Sequence, residues 1–448
     1  MATTARNILD FALLQSAAEC YLHNVKDLGD IDLIHKYLQI GANDPEKQGK
    51  SEDDPILASA TRFTQTQAKW FTDNYEIVTH YPNDASGFSC TLFRNKGAGE
   101  YTLSFRSTEY QLQEKGGDYE RDGSDATDGD ISTHGFGLAQ LSSMEQFYEH
   151  LKQGETWNAN TRKWEHNDAV NAFAEGDPIL NLTGYSMGAH LATSFTLMHT
   201  EAVKETWNFN AAGLGGITMS KDENTIPTGD DVKYLIEQYN ALIHYDGNLP
   251  EDPVLREAML KSPYLGDFIN LSSGHRVYDN VYENPLHGIV MSFLKEKMYP
   301  AGAGNKVDIL DSMGDTRLAD AWINFESDDP NSFTSNMFEV NDFPWNKIHQ
   351  YYGHGEFWDM EFVANSGWHP SPESIFIEDL PLSRNFGIVE LLAPNALVRD
   401  LVGEFGETHS ITPLIDSLTV LDMLQRLDAD FDLGQFVQLG MEMRKSPT

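Results

Sequence analysis

The fold is decided by residues 178–192, which read Pro178-Ile179-Leu180-Asn181-Leu182-Thr183-Gly184-Tyr185-Ser186-Met187-Gly188-Ala189-His190-Leu191-Ala192. The apolar run at 179–182 predicts a buried strand, and the small residues from Ala189 begin a stretch to Met198 that favours a helix. A G-x-S-x-G sequence joins the two. Strand, G-x-S-x-G and helix in this order are typical of a nucleophile elbow, a tight turn that exposes a serine hydroxyl. Ser186 is therefore the predicted nucleophile, and the alternative is a chance match to a short motif.

Strands and helices alternate along the rest of the chain. Strands are predicted over 76–81, 87–93 and 101–106, with the last two joined by a turn at 95–99, and again over 206–210 and 275–282. Helices are predicted over 8–24, 59–73, 136–151 and 411–427. This alternation predicts an α/β fold with a mostly parallel central sheet and helices on both faces. We expect a single domain over residues 1–448, with insertions at about 218–262 and 286–400.

Charge and composition exclude several classes of protein. The chain carries 69 acidic and 31 basic residues, a net charge of −38, so its surface repels nucleic acid and none is expected as a partner. It contains no apolar run of 18 residues, so no transmembrane helix is expected. The first residues lack a basic segment followed by an apolar one, which predicts no conventional signal peptide.

Residues 116–130 are polar and acidic, with aspartates among glycines in Asp122–Asp130. Clustered carboxylates of this kind can hold Ca²⁺, but the stretch lacks the closing glutamate of an EF-hand. A solvated loop is the simpler interpretation, with a structural Ca²⁺ ion as the alternative. The two cysteines, Cys20 and Cys90, match no zinc spacing and read as small core residues. We predict no metal ligand set, and the chemistry of an activated serine requires no cofactor.

An activated serine needs a histidine base, and that base needs an orienting carboxylate. His409 follows Gly406 and precedes the predicted helix at 411–427, so it lies on a loop where a general base belongs. The alternative is a loop histidine that only caps the helix. His190 lies one helical turn beyond Ser186 and is expected on the wrong side of the sheet.

Several short segments together resemble the class 3 lipases and the RTX-type bacterial lipases and phospholipases, which have the α/β-hydrolase fold. The elbow at 184–192 is similar to their G-[HY]-S-L-G-G-H-L-A, and Thr408-His409-Ser410-Ile411 is similar to their T-H-S-I. The remaining similar segments are Phe105-Arg106-Ser107-Thr108, Phe209-Asn210-Ala211-Ala212-Gly213 and Val277 to Pro285. The blocks are scattered over residues 87–424.

The resemblance implies a role for each matching residue. Ser186 is the nucleophile, His409 the general base and acid, and the N–H groups of Met187 and Thr108 form the oxyanion hole, with the Thr108 hydroxyl. Ser107 stands where the family has glycine, which puts the backbone geometry there in question. The family's aspartate before Pro285 is missing, so Glu283 or Asp279 must serve as the acid, with Glu283 favoured.

The resemblance also implies function and location. The first hypothesis is a serine hydrolase of carboxylic esters, of the lipase or esterase kind, acting on an ester or lipid with transient contact to a lipid interface. Phospholipase A1 and polyester depolymerase activities are alternatives on the same triad, and a non-catalytic, acidic Ca²⁺-binding domain with a relict elbow is the alternative from another class. The resemblance implies that the protein is secreted, and a cytoplasmic location is the alternative. An apolar face in Leu286–Leu294 predicts either a lid over Ser186 or a core helix.

Overall fold

The computed structural model describes residues 5–42, 62–158, 161–215, 229–251, 253–271, 277–298, 347–353, 367–368, 375–377 and 411–429, together with 431 and 435. Within these residues there is a central seven-stranded sheet with the order β1-β2-β3-β6-β7-β9-β11. Its strands are β1 Tyr75–Tyr81, β2 Cys90–Asn95, β3 Tyr101–Phe105, β6 Leu180–Tyr185, β7 Val203–Phe209, β9 Ile348–Gly353 and β11 Ile375–Ile377. Two small antiparallel pairs lie outside it: β4 Glu155–Asn158 with β5 Lys163–His166, and β8 Leu214–Gly215 with β10 Gly367–Trp368.

Six of the seven central strands run in the same direction. β2 is antiparallel to both β1 and β3, whereas β3, β6, β7, β9 and β11 pair in parallel. The carboxyl ends of β3, β6, β7 and β9 therefore lie along one edge of the sheet. In sheets of this kind, ligands bind outside that edge. The predicted α/β class with a mostly parallel sheet is confirmed.

Helices cover the sheet on both faces. They are α1 Ala5–Glu19, α2 Ile31–Ile40, α3 Gln65–Asn74, α4 Tyr119–Asp122, α5 Thr127–His134, α6 Leu138–Lys152, α7 Asp168–Gly176, α8 Met187–Met198, α9 Gly229–Ile243, α10 Pro253–Lys261, α11 Leu265–Leu271, α12 His287–Met298 and α13 Ile411–Leu427. Two separate apolar cores result, one containing α6, α8, α9 and α12 and the other α1, α3 and α13. Leu92 and Phe93, neighbours in β2, belong to different cores because successive strand residues point to opposite faces. Among the described residues, no helix combines the length and apolar character needed to span a bilayer.

Several predicted elements are confirmed with shifted ends, and the hairpin turn at 95–99 lies between β2 and β3 as expected. The N-terminal helix begins and ends earlier than predicted, at Ala5 and Glu19. β9 and β11 belong to the central sheet although they fall inside 286–400, a range expected to be an insertion.

Two interpretations were wrong. The described part of the predicted strand at 275–282, from residue 277 onwards, is irregular and ends in a 3₁₀ turn at Val281–Glu283. The acidic stretch 116–130 contains α4 and α5 instead of a solvated loop. Asp118, Asp122 and Asp130 are buried there, because neighbouring side chains or backbone N–H groups bind each carboxylate.

The apolar face of α12 and the segment just before it packs inward. Leu286, Val290 and Phe293 are buried in the same core as α9, and Ile289 packs partly against it. The hairpin of β4 and β5 is also packed down: Trp164 stacks on Tyr81 at a centroid distance of 5.3 Å. In the structure described here, both segments are covering layers of the core.

Candidate active site

Ser186 lies in a strained turn between β6 and α8. Its backbone has φ 52° and ψ −122°, a conformation that non-glycine residues rarely adopt. The Ser186 N–H donates to the Phe209 carbonyl at 3.1 Å, and the Ser186 carbonyl accepts from the N–H groups of Ala189 and Ala212 at 3.0 and 3.1 Å. These bonds hold the strained residue between two strand ends and the first turn of the helix. Such strain persists only where the surroundings determine it, and it concentrates at functional sites.

The two glycines of the elbow are required by close contacts. A Cβ on Gly184 would lie 2.4 Å from the carbonyl oxygen of Gly188, and a Cβ on Gly188 would lie 2.3 Å from the carbonyl oxygen of Phe105. Neither glycine has a positive φ. The motif therefore needs glycine for space: the first lets strand and helix pass closely, and the second lets α8 approach the end of β3.

Ser186 is also the one partly exposed residue between Leu180 and Met198, and every other residue in that range is buried. The strand and helix thus form a closed interior with the serine presented at its edge. A buried framework around one partly exposed serine suits nucleophilic catalysis, because the rigid elements hold the reacting residue in place.

The second half of the predicted oxyanion hole is the segment Arg106–Glu109, which we call the oxyanion loop. It starts where Gly188 touches β3, because the Phe105 and Arg106 carbonyls are the atoms nearest to that glycine. Among the described residues, the backbone N–H groups of Thr108 and Met187 have no acceptor. They are the two N–H groups that the resemblance assigns to the oxyanion hole.

The Thr108 hydroxyl has a different partner from the one predicted. It donates to the carboxylate of Asp128 in α5, at 3.0 and 2.9 Å from the two oxygens. A hydroxyl proton held by a carboxylate is not free to bind an oxyanion, so Thr108 can contribute through its backbone N–H. Asp128 was missed by sequence analysis because its stretch was interpreted as a solvated loop.

Buried ionic contacts anchor the oxyanion loop. Arg106 and Glu109 form an ion pair at 2.8 Å with both side chains almost fully enclosed. Burial raises the pKa of Glu109, and the Arg106 guanidinium opposes that shift. Glu19 at the end of α1 accepts from the backbone N–H and the hydroxyl of Ser107. Among the described residues, no group of three or more His, Cys, Asp or Glu side chains is placed to hold a metal ion.

The structure places both predicted acids on the surface. Asp279 and Glu283 are exposed, the first in an irregular segment and the second in a 3₁₀ turn, and neither ends a strand. The Asp279 carbonyl lies 3.4 Å from a guanidinium nitrogen of Arg121, which ties this segment to α4. Neither carboxylate therefore lies at a strand end beside Ser186.

Sheet order points to another position for the acid. The acid is expected at the end of the strand that follows the one after the elbow helix, and the sheet shows that this strand is β9, beside β7. β9 ends at Gly353, on the same edge as Ser186. The first carboxylates after it in the sequence are Glu356 and Asp359, which lie outside the described residues.

The predicted base, His409, also lies outside the described residues, so its place relative to Ser186 stays a prediction. The helix it precedes, α13, begins at Ile411, which is buried in the same apolar core as Tyr185 and Phe209.

His190 is excluded as a base by its surroundings. Its Nδ1 lies 2.8 Å from the Gly213 carbonyl, and its Nε2 accepts from the Gly137 N–H at 3.3 Å. Complete burial lowers its pKa to about 4. Both ring nitrogens of a neutral imidazole are thus engaged, and His190 holds the chain at Gly137 and Gly213 against α8.

Comparison with known proteins adds no assignment: no family model matches the chain, and no curated protein matches it.

Proposed function

We propose that this chain is a serine hydrolase of carboxylic esters, of the lipase or esterase kind, with the α/β-hydrolase fold. One observation carries the proposal: Ser186 has a positive φ at a strand–helix junction where close backbone contacts require both flanking glycines. A buried structural serine has no need of this strain. A nucleophile does, because the turn projects its hydroxyl out of the packed interior.

The proposal gives each group a role in the reaction. The Ser186 hydroxyl attacks the ester carbonyl carbon while His409 accepts its proton. The N–H groups of Met187 and Thr108 bind the oxyanion, and the N-terminus of α8 adds its positive end. His409 then protonates the leaving alcohol, and a water molecule attacks the acyl-enzyme by the same route in reverse.

Two pairs of carboxylates are candidates for the orienting acid of the triad. Asp279 and Glu283 match the family segment, but they are exposed, and an exposed carboxylate orients an imidazole weakly because water competes for it. Glu356 and Asp359 follow β9, the strand that the order of elements favours. We favour this second pair.

Ester hydrolysis is tested by labelling purified protein with a fluorophosphonate and locating the adduct by peptide mass spectrometry. We expect stoichiometric modification of Ser186 and no modification of the Ser186→Ala variant. That variant should fold normally and lose ester hydrolysis by several orders of magnitude, because only the oxyanion hole and substrate binding remain. Absence of labelling would favour a non-catalytic domain with a relict elbow.

Substrate class is decided by a panel of p-nitrophenyl esters, a triglyceride emulsion, phospholipid vesicles and an aliphatic polyester film. Preference for the emulsion supports a lipase, release of the sn-1 acyl chain from vesicles a phospholipase A1, and erosion of the film a depolymerase. Because the chain carries a net charge of −38, activity on anionic vesicles should rise with salt as repulsion is screened.

A further inference from the structure

The last turn of the N-terminal helix α1 is bonded to the oxyanion loop and to the strand that leads into it. Gln15 Nε2 donates to the Phe105 carbonyl at 2.8 Å, and the Ser104 hydroxyl donates to Gln15 Oε1 at 2.8 Å. Arg106 Nη2 donates to the Glu19 backbone carbonyl at 2.8 Å. One side chain and one backbone carbonyl of this helix turn thus bind three consecutive residues, Ser104 to Arg106, at the point where β3 leads into the oxyanion loop.

The Glu19 carboxylate makes the contact nearest to Thr108. Its Oε2 accepts the Ser107 hydroxyl at 2.8 Å, and its Oε1 accepts the Ser107 N–H at 3.0 Å. Gln15 Nε2 also donates to Oε1, at 2.6 Å. Each of these partners donates to the Glu19 carboxylate, and Glu19 is only 4 % exposed, so water cannot replace these bonds. Burial raises the pKa of Glu19, while the Arg106 guanidinium and the Ser107 bonds oppose that shift.

Ser107 explains why a carboxylate is needed here. The resembling family has glycine at this position, yet Ser107 does not adopt a positive φ, so the serine is accommodated without strain. The Ser107 hydroxyl adds a hydrogen-bond donor to the loop, which glycine cannot supply. Glu19 holds Ser107 from the α1 side, and Asp128 holds Thr108 from the α5 side. The N–H of Thr108 belongs to the peptide bond between these two clamped residues.

We propose that Glu19 is a positioning residue, an inference that rests on the proposed ester hydrolysis. Glu19 holds the oxyanion loop in its working geometry by binding the N–H and the hydroxyl of Ser107. It touches neither substrate nor the reacting atoms. The competing explanation is a purely structural tie between α1 and the sheet, which would affect stability and leave turnover per folded molecule unchanged.

The experiment compares Glu19→Gln, Ser107→Ala, their double variant and a control, Thr72→Val, on a soluble p-nitrophenyl ester. Thr72 is also buried, and its hydroxyl is bonded to His35 at 2.6 Å between α2 and α3, away from the loop. Melting temperature is measured for every variant. Fluorophosphonate labelling of the wild type is measured first. Absence of labelling would mean that the proposed ester hydrolysis fails, whereas labelling with unchanged kcat in the variants would mean that only the inference about Glu19 fails.

Glu19→Gln keeps the shape but offers one acceptor oxygen instead of two. We expect its kcat to fall by at least about 10-fold, part of the loss for removing a whole oxyanion donor, with KM within about threefold. Ser107→Ala should lower kcat in the same way, and the double variant should lose little more than Glu19→Gln alone, because both changes break one contact. Thr72→Val should lower melting temperature without lowering kcat.

Two results overturn the inference. One is an unchanged kcat in both Glu19→Gln and Ser107→Ala at a temperature where they are folded. The other is full additivity of the two losses in the double variant, which would mean that Glu19 and Ser107 do not act through each other. If Glu19→Gln fails to fold, the smaller Ser107→Ala change still decides between the two explanations through its kcat.

Discussion

The close approach of Gly188 to β3 makes Gly188→Ala a sharp test of the site. The added Cβ would lie 2.3 Å from the Phe105 carbonyl oxygen and 2.9 Å from that of Arg106. Carbon and oxygen atoms in close non-bonded contact are about 3.3 Å apart, so the end of β3 must retreat by about 1 Å. That displacement carries the oxyanion loop away from Ser186. A misplacement of about 1 Å can cost 10²-fold in rate, equivalent to about 2.7 kcal/mol of transition-state stabilisation.

The assay is kcat for a soluble short-chain ester, with fluorophosphonate labelling and thermal unfolding measured on the same preparations. We expect kcat to fall about 100-fold and the free energy of unfolding to fall by about 1–3 kcal/mol, the usual cost of overpacking. Gly266→Ala is the matched control, because a Cβ there meets no atom within 4 Å. Wild-type turnover in folded Gly188→Ala would refute the argument that the α8–β3 contact sets the oxyanion hole.

The remaining predictions concern the orienting acid, Asp128 and Asp118. Glu356→Gln or Asp359→Asn should lower kcat by about 10³–10⁴-fold, as loss of an orienting acid can. Amide variants at Asp279 and Glu283 should retain most activity. The opposite pattern would show that the orienting acid is one of the two exposed carboxylates, Asp279 or Glu283. Asp128→Asn should lower kcat by about 10-fold with little change in KM, because the Thr108 hydroxyl loses a charged acceptor, and an unchanged kcat would show that Thr108 is held by the backbone alone. Burial raises the pKa of Asp118 from 3.8 to about 7 despite its ion pair with Arg121, so the folded state retains this proton to higher pH than the unfolded state. Stability from this group is complete below about pH 4 and lost as pH rises through 7, so urea unfolding at pH 5 to 8 should show a falling free energy of unfolding, and Asp118→Asn should flatten that slope.

The elbow could be predicted from sequence because its strand, two glycines, serine and helix start occupy fifteen consecutive residues. The steric need for glycine at 184 arises within that stretch, whereas the need at 188 comes from the contact with the end of β3 and is seen only in the tertiary structure. The β2–β3 hairpin was equally accessible, since its turn and its two strands are contiguous. Helix α6 followed from apolar spacing, and α8 from a stretch that begins with small residues and favours a helix.

The predictions that were wrong depended on distant partners. Residues 277–283 have strand-like composition but no neighbour in the sheet, and the place beside β7 is taken by β9, more than 130 residues after β7 in the sequence. The acidic stretch 116–130 looks solvated because charge is normally exposed. Three of its carboxylates, Asp118, Asp122 and Asp130, are buried because Arg121, Gln140 and His287 bind them from α4 itself or from other parts of the chain.

The sequence by itself therefore determined the strand–turn–helix unit that carries Ser186 and the class of fold, because propensity and hydrophobic periodicity act over a few residues. Only the tertiary structure decided which strand lies beside β7 and what holds the oxyanion loop. Glu19 and Ser107 are 88 residues apart in the chain, and no local pattern marks their contact. Pairing of strands and burial of charge are decided by which surfaces meet in the folded chain, and that depends on the packing of all the elements together.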